Sequence, residues 1–262
     1  FNRLCKESVW QYKDEWEKVT KRIGFWLDMR SPYITYKNGY METLWWIIKR
    51  VFDKGLLTED YKVTPYCVRC GTGLSSHELA QEYKTIKDAS VYVKFLIRKT
   101  RPSEDEFARK AKEGVVFRDA QEKAVEYFLV WTTTPWTLPA NVALAVNPDL
   151  AYVRARKDKE VVIVAKERLE VLGEGWEILE EMKGKELVGM EYRQVFDFVK
   201  PPQGAKAFYV IGGDFVSATD GSGIVHIAPA YGEDDMRMAK KYQLPILHPV
   251  MENGEFVAQV TW

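Results

Sequence analysis

A chain of 262 residues with 46% hydrophobic and 13% aromatic residues can bury a substantial core, which excludes wholesale disorder and leaves room for two unequal domains. Lysine plus arginine equals aspartate plus glutamate at 38 each, so net charge advertises no polyanionic partner, although a local patch can still bind one. No apolar run reaches the roughly 18 residues of a membrane span, no signal-peptide pattern is present, and the three cysteines cannot build a disulfide framework, so the expected setting is the reducing cytoplasm.

The opening Phe1-Asn2-Arg3-Leu4 lacks an initiator Met, and Val260-Thr261-Trp262 falls in a strand-like stretch, so both ends read as cuts in a longer polypeptide. Residues 1–60 read as helical. Trp16, Val19 and Ile23 recur at helical spacing until Gly24, and Leu44, Ile47, Ile48 and Val51 follow the i, i+3, i+4, i+7 pattern with Gly55 placed to end it. Trp10, Trp16, Trp26, Trp45 and Trp46 crowd this stretch and are read as core and interface surface, because a base-stacking platform carries more local basic charge. The segment closes on Cys67-Val68-Arg69-Cys70, a metal-type knuckle. Structural zinc usually takes four thiolate or imidazole ligands, and only His77 is near while Cys5 is distant in sequence, so a zinc half-site and a buried thiol pair both stay open. A helical segment over 1–75 is expected.

From residue 76 the character changes. Val91–Ile97 has strand composition, and strand-like runs recur at Tyr127–Trp131, Ala151–Arg154, Val161–Ala165, Phe208–Ile211 and Ile224–Ala228, with Gly, Pro, Asn and Asp turns between them. The charged stretch Ser103–Lys112 is helix-compatible and reads as a solvated excursion. The expectation is an α+β fold: a β-rich, barrel-like domain over 76–262 behind the N-terminal helical segment.

Two segments carry residues suited to chemistry. In Val130-Trp131-Thr132-Thr133-Thr134-Pro135-Trp136-Thr137-Leu138-Pro139-Ala140-Asn141 a buried strand runs into a cluster of threonines. Pro135 fixes its own φ and pushes Thr134 toward extended backbone, so the threonines are held rigidly, each offering a hydroxyl and a methyl. Such a surface can bind a small polar group while limiting volume; threonines that merely satisfy local backbone groups at a strand edge are the other reading. In Asp220-Gly221-Ser222-Gly223-Ile224-Val225-His226 a glycine-rich turn enters a strand, and Glu233, Asp234 and Asp235 then open a helix. Acids there complement the helix dipole, and an ionised one also suits a substrate ammonium.

Trp131–Asn141, followed by Val142-Ala143-Leu144-Ala145-Val146, closely resembles the threonine-rich signature of the isoleucyl-tRNA synthetase editing domain, and Gly221–Asp235 resembles its second signature. The valyl and leucyl relatives typically carry Arg before the proline and an acid after it, where this chain has Thr134 and Trp136. The flanking Tyr66–Glu78 is covered as well. Neither a His-x-Gly-His nor a Lys-Met-Ser-Lys-Ser pattern occurs, so the aminoacylation site and its ATP are not expected here. The resemblance implies hydrolysis of the ester in valyl-tRNA(Ile), with tRNA(Ile) carrying valine and the rest of the synthetase as partners, no membrane, and no cofactor for the step; zinc would belong to the full-length enzyme. It implies that Asp235 holds the α-ammonium and that Thr132, Thr133, Thr134 and Thr137 bind the substrate. Thr134 and Asn141 would lie near the reacting end, making Asp235, Thr134 and Asn141 the catalytic set, while His226 closes the far wall. An inactive tRNA-binding spacer, or the editing domain of a valyl or leucyl homologue, is the alternative.

Overall fold

A computed structural model describes residues 1–81, 83–98 and 124–261, and the charged stretch 103–112 lies outside them. The chain divides into two compact units, Phe1–Tyr61 and Lys62–Trp262. The first holds α1 (Asn2–Gln11), α2 (Lys13–Arg22) and α3 (Asn38–Asp53). Gly24 and Gly55 follow α2 and α3 with left-handed backbones (φ 76° and 67°), the conformation glycine adopts without Cβ strain. None of the three helices buries a residue, and Trp16, Trp26, Trp45 and Trp46 are all exposed, so the expected core is not formed within this unit. No described helix is long and apolar enough to cross a membrane.

The second unit begins with a small hairpin, β1 (Tyr66–Cys67) and β2 (Thr72–Gly73), and the short α4 (Ser76–Leu79). Ser75 and Glu78 form a reciprocal capping box that starts α4. The cysteine knuckle therefore falls in this unit, where a Cβ on Gly254 would lie 3.0 Å from the Val68 side chain.

Two open sheets make up the rest. The larger contains β3 (Val91–Leu96), β4 (Val125–Thr132), β6 (Ala151–Lys157), β7 (Glu160–Ala165) and β8 (Glu177–Lys183), in the order β3-β4-β7-β6-β8. The smaller contains β5 (Ala143–Val146), β9 (Tyr209–Gly212) and β10 (Ile224–Ile227), in the order β10-β5-β9. All strands pair antiparallel except β4 with β7 and β5 with β9. The expected barrel is corrected accordingly: closure requires the outer strands of one sheet to bond each other, and among the described residues neither β3 with β8 nor β10 with β9 does so, the short segment around Tyr192 instead bridging the ends of β3 and β9. Val260 and Thr261 also fall outside any strand.

Strand alternation builds two cores. Leu144 and Val146 of β5 point to one side, joining Phe95, Phe128, Val130 and Ile163 of the larger sheet with Tyr152 and Tyr192. Ala143 and Ala145 point to the other, against Ile211, Ile227 and the helix α6 (Glu233–Tyr242), through its Met238 and Ala239. Between β8 and β9 runs one further short helix, α5 (Gly184–Leu187). Because β5 is buried on both faces, its small residues let sheet and helix approach closely, and β10 packs beside β4. That packing sets the ends of β4 and β10 next to each other.

Strands β5 and β8 were not legible from pattern. Strand β8 is almost wholly exposed, and its extended state is accompanied by the cross-strand pairs Arg154 with Glu180 (2.9 Å) and Arg156 with Glu177 (2.6 Å) and by Lys166, at the start of the 3-10 helix after β7, with Glu181 (2.7 Å). Exposed pairs of this kind contribute about 0–1 kcal/mol each, so their number rather than any one of them holds the edge.

Candidate functional site

Strand β4 ends at Thr132, paired across from Val91, and the chain turns at Thr134 (φ −122°, ψ 65°) into a 3-10 helix, Pro135–Ala140. Pro135 occupies the first helical position, where the missing N–H costs nothing and the fixed φ starts the turn. The side chains then interlock. The Thr134 backbone N–H donates to Thr132 Oγ1 (3.0 Å), and the Thr137 hydroxyl donates back to the Thr134 carbonyl (2.7 Å). The local-satisfaction reading of the threonines is therefore correct for part of their bonding. Thr132 and Thr137 are buried, whereas Thr133 and Thr134 are exposed.

Strand β10 brings His226 against this turn. Its Nε2 lies 3.1 Å from Thr137 Oγ1 and 3.3 Å from Thr132 Oγ1, while Nδ1 is buried with no hydrogen-bond partner. Burial disfavours the charged imidazolium and lowers the His226 pKa to about 4. His226 is thus neutral at physiological pH and presents ring surface rather than charge. The glycine-rich turn before β10 serves packing: Gly221 has φ +65°, and a Cβ there would lie 2.6 Å from the Trp131 ring. Arg168 Nε donates to the Gly221 carbonyl (3.0 Å) and holds that turn in place.

Beyond β10 the chain folds back, and Asp235 in the first turn of α6 accepts the Ala228 N–H at Oδ1 (2.7 Å). Gly232, the residue capping α6, sits directly beside the carboxylate, since a Cβ on it would fall 2.3 Å from Asp235 Oδ2. Burial raises the Asp235 pKa, the Ala228 and Asp235 backbone N–H groups lower it, and the charge of Asp234 raises it again. No cation is among the influences on this carboxyl. A half-buried acid without a positive neighbour is set up to receive one from a ligand.

Thr132, Thr133, Thr134, Thr137, His226 and Asp235 all line one cavity of about 300 Å³. Trp131, Trp136, Val225, Ala228, Tyr231 and Gly232 complete its walls and were not singled out from sequence. Trp136 and Tyr231 meet edge to face with ring centroids 5.0 Å apart, and single aromatics next to a turn proline (Pro135) and a helix cap (Gly232) leave no periodic signal that would have found them. Asn141 is the departure. It is buried at 1% exposure outside the cavity wall, with its amide donating to the Ala143 carbonyl (2.8 Å) and its Oδ1 accepting the Tyr192 hydroxyl (2.6 Å). Its polar atoms hold the start of β5 instead of facing a ligand.

The cysteine pair stands apart. Cys67 is half-buried and Cys70 exposed, so the pair is not a buried one. The Cys70 backbone N–H beside its sulfur holds the Cys67 thiol below the usual range, while hydrogen bonding to Cys67 pushes the Cys70 thiol up. Among the described residues no group of three or more His, Cys, Asp or Glu side chains is placed to hold a metal. Two thiols alone do not fit a closed tetrahedral zinc site.

The family model described as tRNA synthetases class I (I, L, M and V) matches residues 1–262. The isoleucine–tRNA ligase of Clostridium acetobutylicum is 47% identical over 260 residues, covering 99% of this chain and 23% of the relative. The corresponding ligase of Clostridium novyi is 47% identical over 262 residues (100% and 23%), and isoleucine–tRNA ligase 2 of Bacillus cereus is 47% identical over 261 residues (99% and 23%). The chain thus spans 23% of the length of these curated relatives. Among solved structures, GlLeuRS-CP1 aligns with a TM-score of 0.44 at 18% identity over 58% of each chain. The Plasmodium knowlesi cytosolic leucyl-tRNA synthetase editing domain aligns at 0.42 and 16% identity, over 60% of this chain and 65% of that one.

Proposed function

The chain belongs to the class I tRNA synthetases of the isoleucine, leucine, methionine and valine group, and from that premise we propose that its cavity is an editing site, which hydrolyses the ester of valine wrongly attached to tRNA(Ile). The observation that carries the reading is the convergence on one cavity of a carboxylate without a cationic neighbour and a wall of threonine and neutral histidine. Likeness to isoleucine–tRNA ligases through both signature segments supports the choice of substrate. The partners are tRNA(Ile) carrying valine and the remainder of a synthetase chain.

In this reading Asp235 Oδ2 receives the α-ammonium, because Oδ1 already accepts the Ala228 N–H. The threonine face and His226 bound the side-chain space. Valine and isoleucine differ by one methylene, about 0.8 kcal/mol of burial, so a first binding step separates them poorly. A rigid second cavity inverts the size test, since overfilling one costs about 1–3 kcal/mol; isoleucine against valine is itself the standard illustration of such double sieving. With His226 neutral and its polar atoms turned into the protein, no side chain here is placed as a strong general base, and threonines without one are poor nucleophiles. Hydrolysis then proceeds by a positioned water, with orientation and fixed dipoles lowering the barrier.

The test is deacylation of valyl-tRNA(Ile) and isoleucyl-tRNA(Ile) by this chain under single-turnover conditions. Preferential release of valine is the expected result, and equal or absent release from both substrates rejects the reading.

A further inference from the structure

We propose that the hydrogen bonds behind the cavity form a one-way chain, which fixes His226 as its Nε2–H tautomer and leaves the Thr134 hydroxyl proton available to donate to the bound ester. This deepens the editing reading and rests on it.

The direction follows from one contact whose polarity is not negotiable. The Thr134 carbonyl can only accept, so the Thr137 hydroxyl proton at 2.7 Å is committed to it. Toward His226 Nε2 at 3.1 Å, Thr137 Oγ1 can therefore only accept, and Nε2 must carry the hydrogen. The opposite tautomer would set two lone pairs against each other there. It would also bury an Nδ1–H with no partner, and an orphaned buried donor is destabilising.

Thr132 inherits the same polarity. Its Oγ1 accepts the Thr134 N–H at 3.0 Å and shares the Nε2–H at 3.3 Å, so its own proton goes to Thr134 Oγ1, also at 3.3 Å. Thr134 Oγ1 thereby becomes an acceptor within the network. The contact left for its own proton, to Thr137 Oγ1 at 3.4 Å, is the longest of the set and the one a substrate oxygen displaces. Of the three hydroxyls, only that of Thr134 belongs to an exposed residue. Thr137, at 3% exposure and with its proton committed, is a positioning residue that acts through His226.

The chain has three histidines, which makes the tautomer directly readable by two-dimensional nitrogen-15 NMR with labelled histidine. At neutral pH the His226 signals should show a protonated Nε2 and an unprotonated Nδ1. Thr137→Val removes one acceptor of the Nε2–H while the Nδ1 side stays without a partner, so it should keep this tautomer but move the Nε2 signal, and Thr137→Ser should restore the wild-type pattern. In valyl-tRNA(Ile) deacylation, Thr134→Val should lower kcat on the order of 100-fold, as loss of one donor to a developing oxyanion does, with Thr134→Ser recovering most of it. A wild-type Nδ1–H tautomer, an unchanged spectrum in Thr137→Val, or full kcat in Thr134→Val would overturn the proposal. A wild-type chain inactive on valyl-tRNA(Ile) would instead reject the editing reading, and the tautomer would still decide the direction of the chain.

Discussion

The threonine–histidine wall and the aspartate wall line the same cavity, yet burial works on them in opposite senses. On the first wall the titratable group is a base, so desolvation removes its proton and His226 is neutral down to about pH 4. On the second it is an acid, so desolvation favours keeping the proton and the Asp235 pKa rises. Hydrogen bonds within the protein occupy Thr132, Thr137 and His226 Nε2, leaving shape and the Thr134 hydroxyl as what that wall offers. Asp235 instead has only the backbone N–H groups of Ala228 and of Asp235 itself and no counter-charge, so its wall offers attraction. One cavity thus divides exclusion from anchoring between its two walls.

The largest expected effect tests the neutral wall. The folded pKa of His226 lies below its unfolded value of 6.5, so the unfolded chain takes up the proton first as pH falls. The resulting stability is present above the unfolded value and is lost between it and about pH 4, on the order of 3 kcal/mol. Urea unfolding across that range should show the loss in the wild type and not in His226→Gln; parallel curves would show that His226 is solvated.

Next comes the charged wall. Asp235→Ala should lower kcat/KM for valyl-tRNA(Ile) deacylation about 100-fold, matching the upper range for a hydrogen bond to a charged group. A change of less than twofold would remove the anchor. His226→Ala should then raise attack on isoleucyl-tRNA(Ile) about 10-fold relative to valyl-tRNA(Ile), since relief of overpacking is worth about 1–3 kcal/mol. Unaltered discrimination would move the size test to other residues.

The smallest effect compares the walls by charge alone. Because the Asp235 pKa is raised on folding, its favourable contribution exists at low pH and is lost as pH rises through the folded value. Asp235→Asn keeps an acceptor for the Ala228 N–H without that charge, so its melting temperature at neutral pH should rise slightly while deacylation falls. A lower melting temperature would mean that the carboxylate is compensated in the free protein.

Reading by sequence succeeded where a local rule was enough. The strands with β-branched or apolar runs, β4, β6, β7, β9 and β10, lie where composition placed them, and Gly24 and Gly55 close their helices through positive φ. It failed for β8, whose glutamates resemble a loop until Arg154 and Arg156 pair with them across strands and Lys166 from the 3-10 helix before it. Asn141 shows the limit at the site: its place in the threonine signature suggested chemistry, but its amide is bonded to Ala143 and Tyr192. The aromatic crowding of residues 1–61 was legible, whereas its exposure was not, because burial depends on what lies opposite a helix face.

By itself, then, the sequence determined the elements and the residue types available to a site: a strand ending in threonines, a histidine on a second strand, and an acid at a helix start. Tertiary packing decided the rest. The small residues of β5 let α6 and the larger sheet close on its two faces and set β4 beside β10, so Thr132, His226 and Asp235 meet in one cavity although 103 positions separate the first from the last. The protonation states of that cavity belong to the same level, because desolvation is a property of the assembled walls and of no residue taken alone.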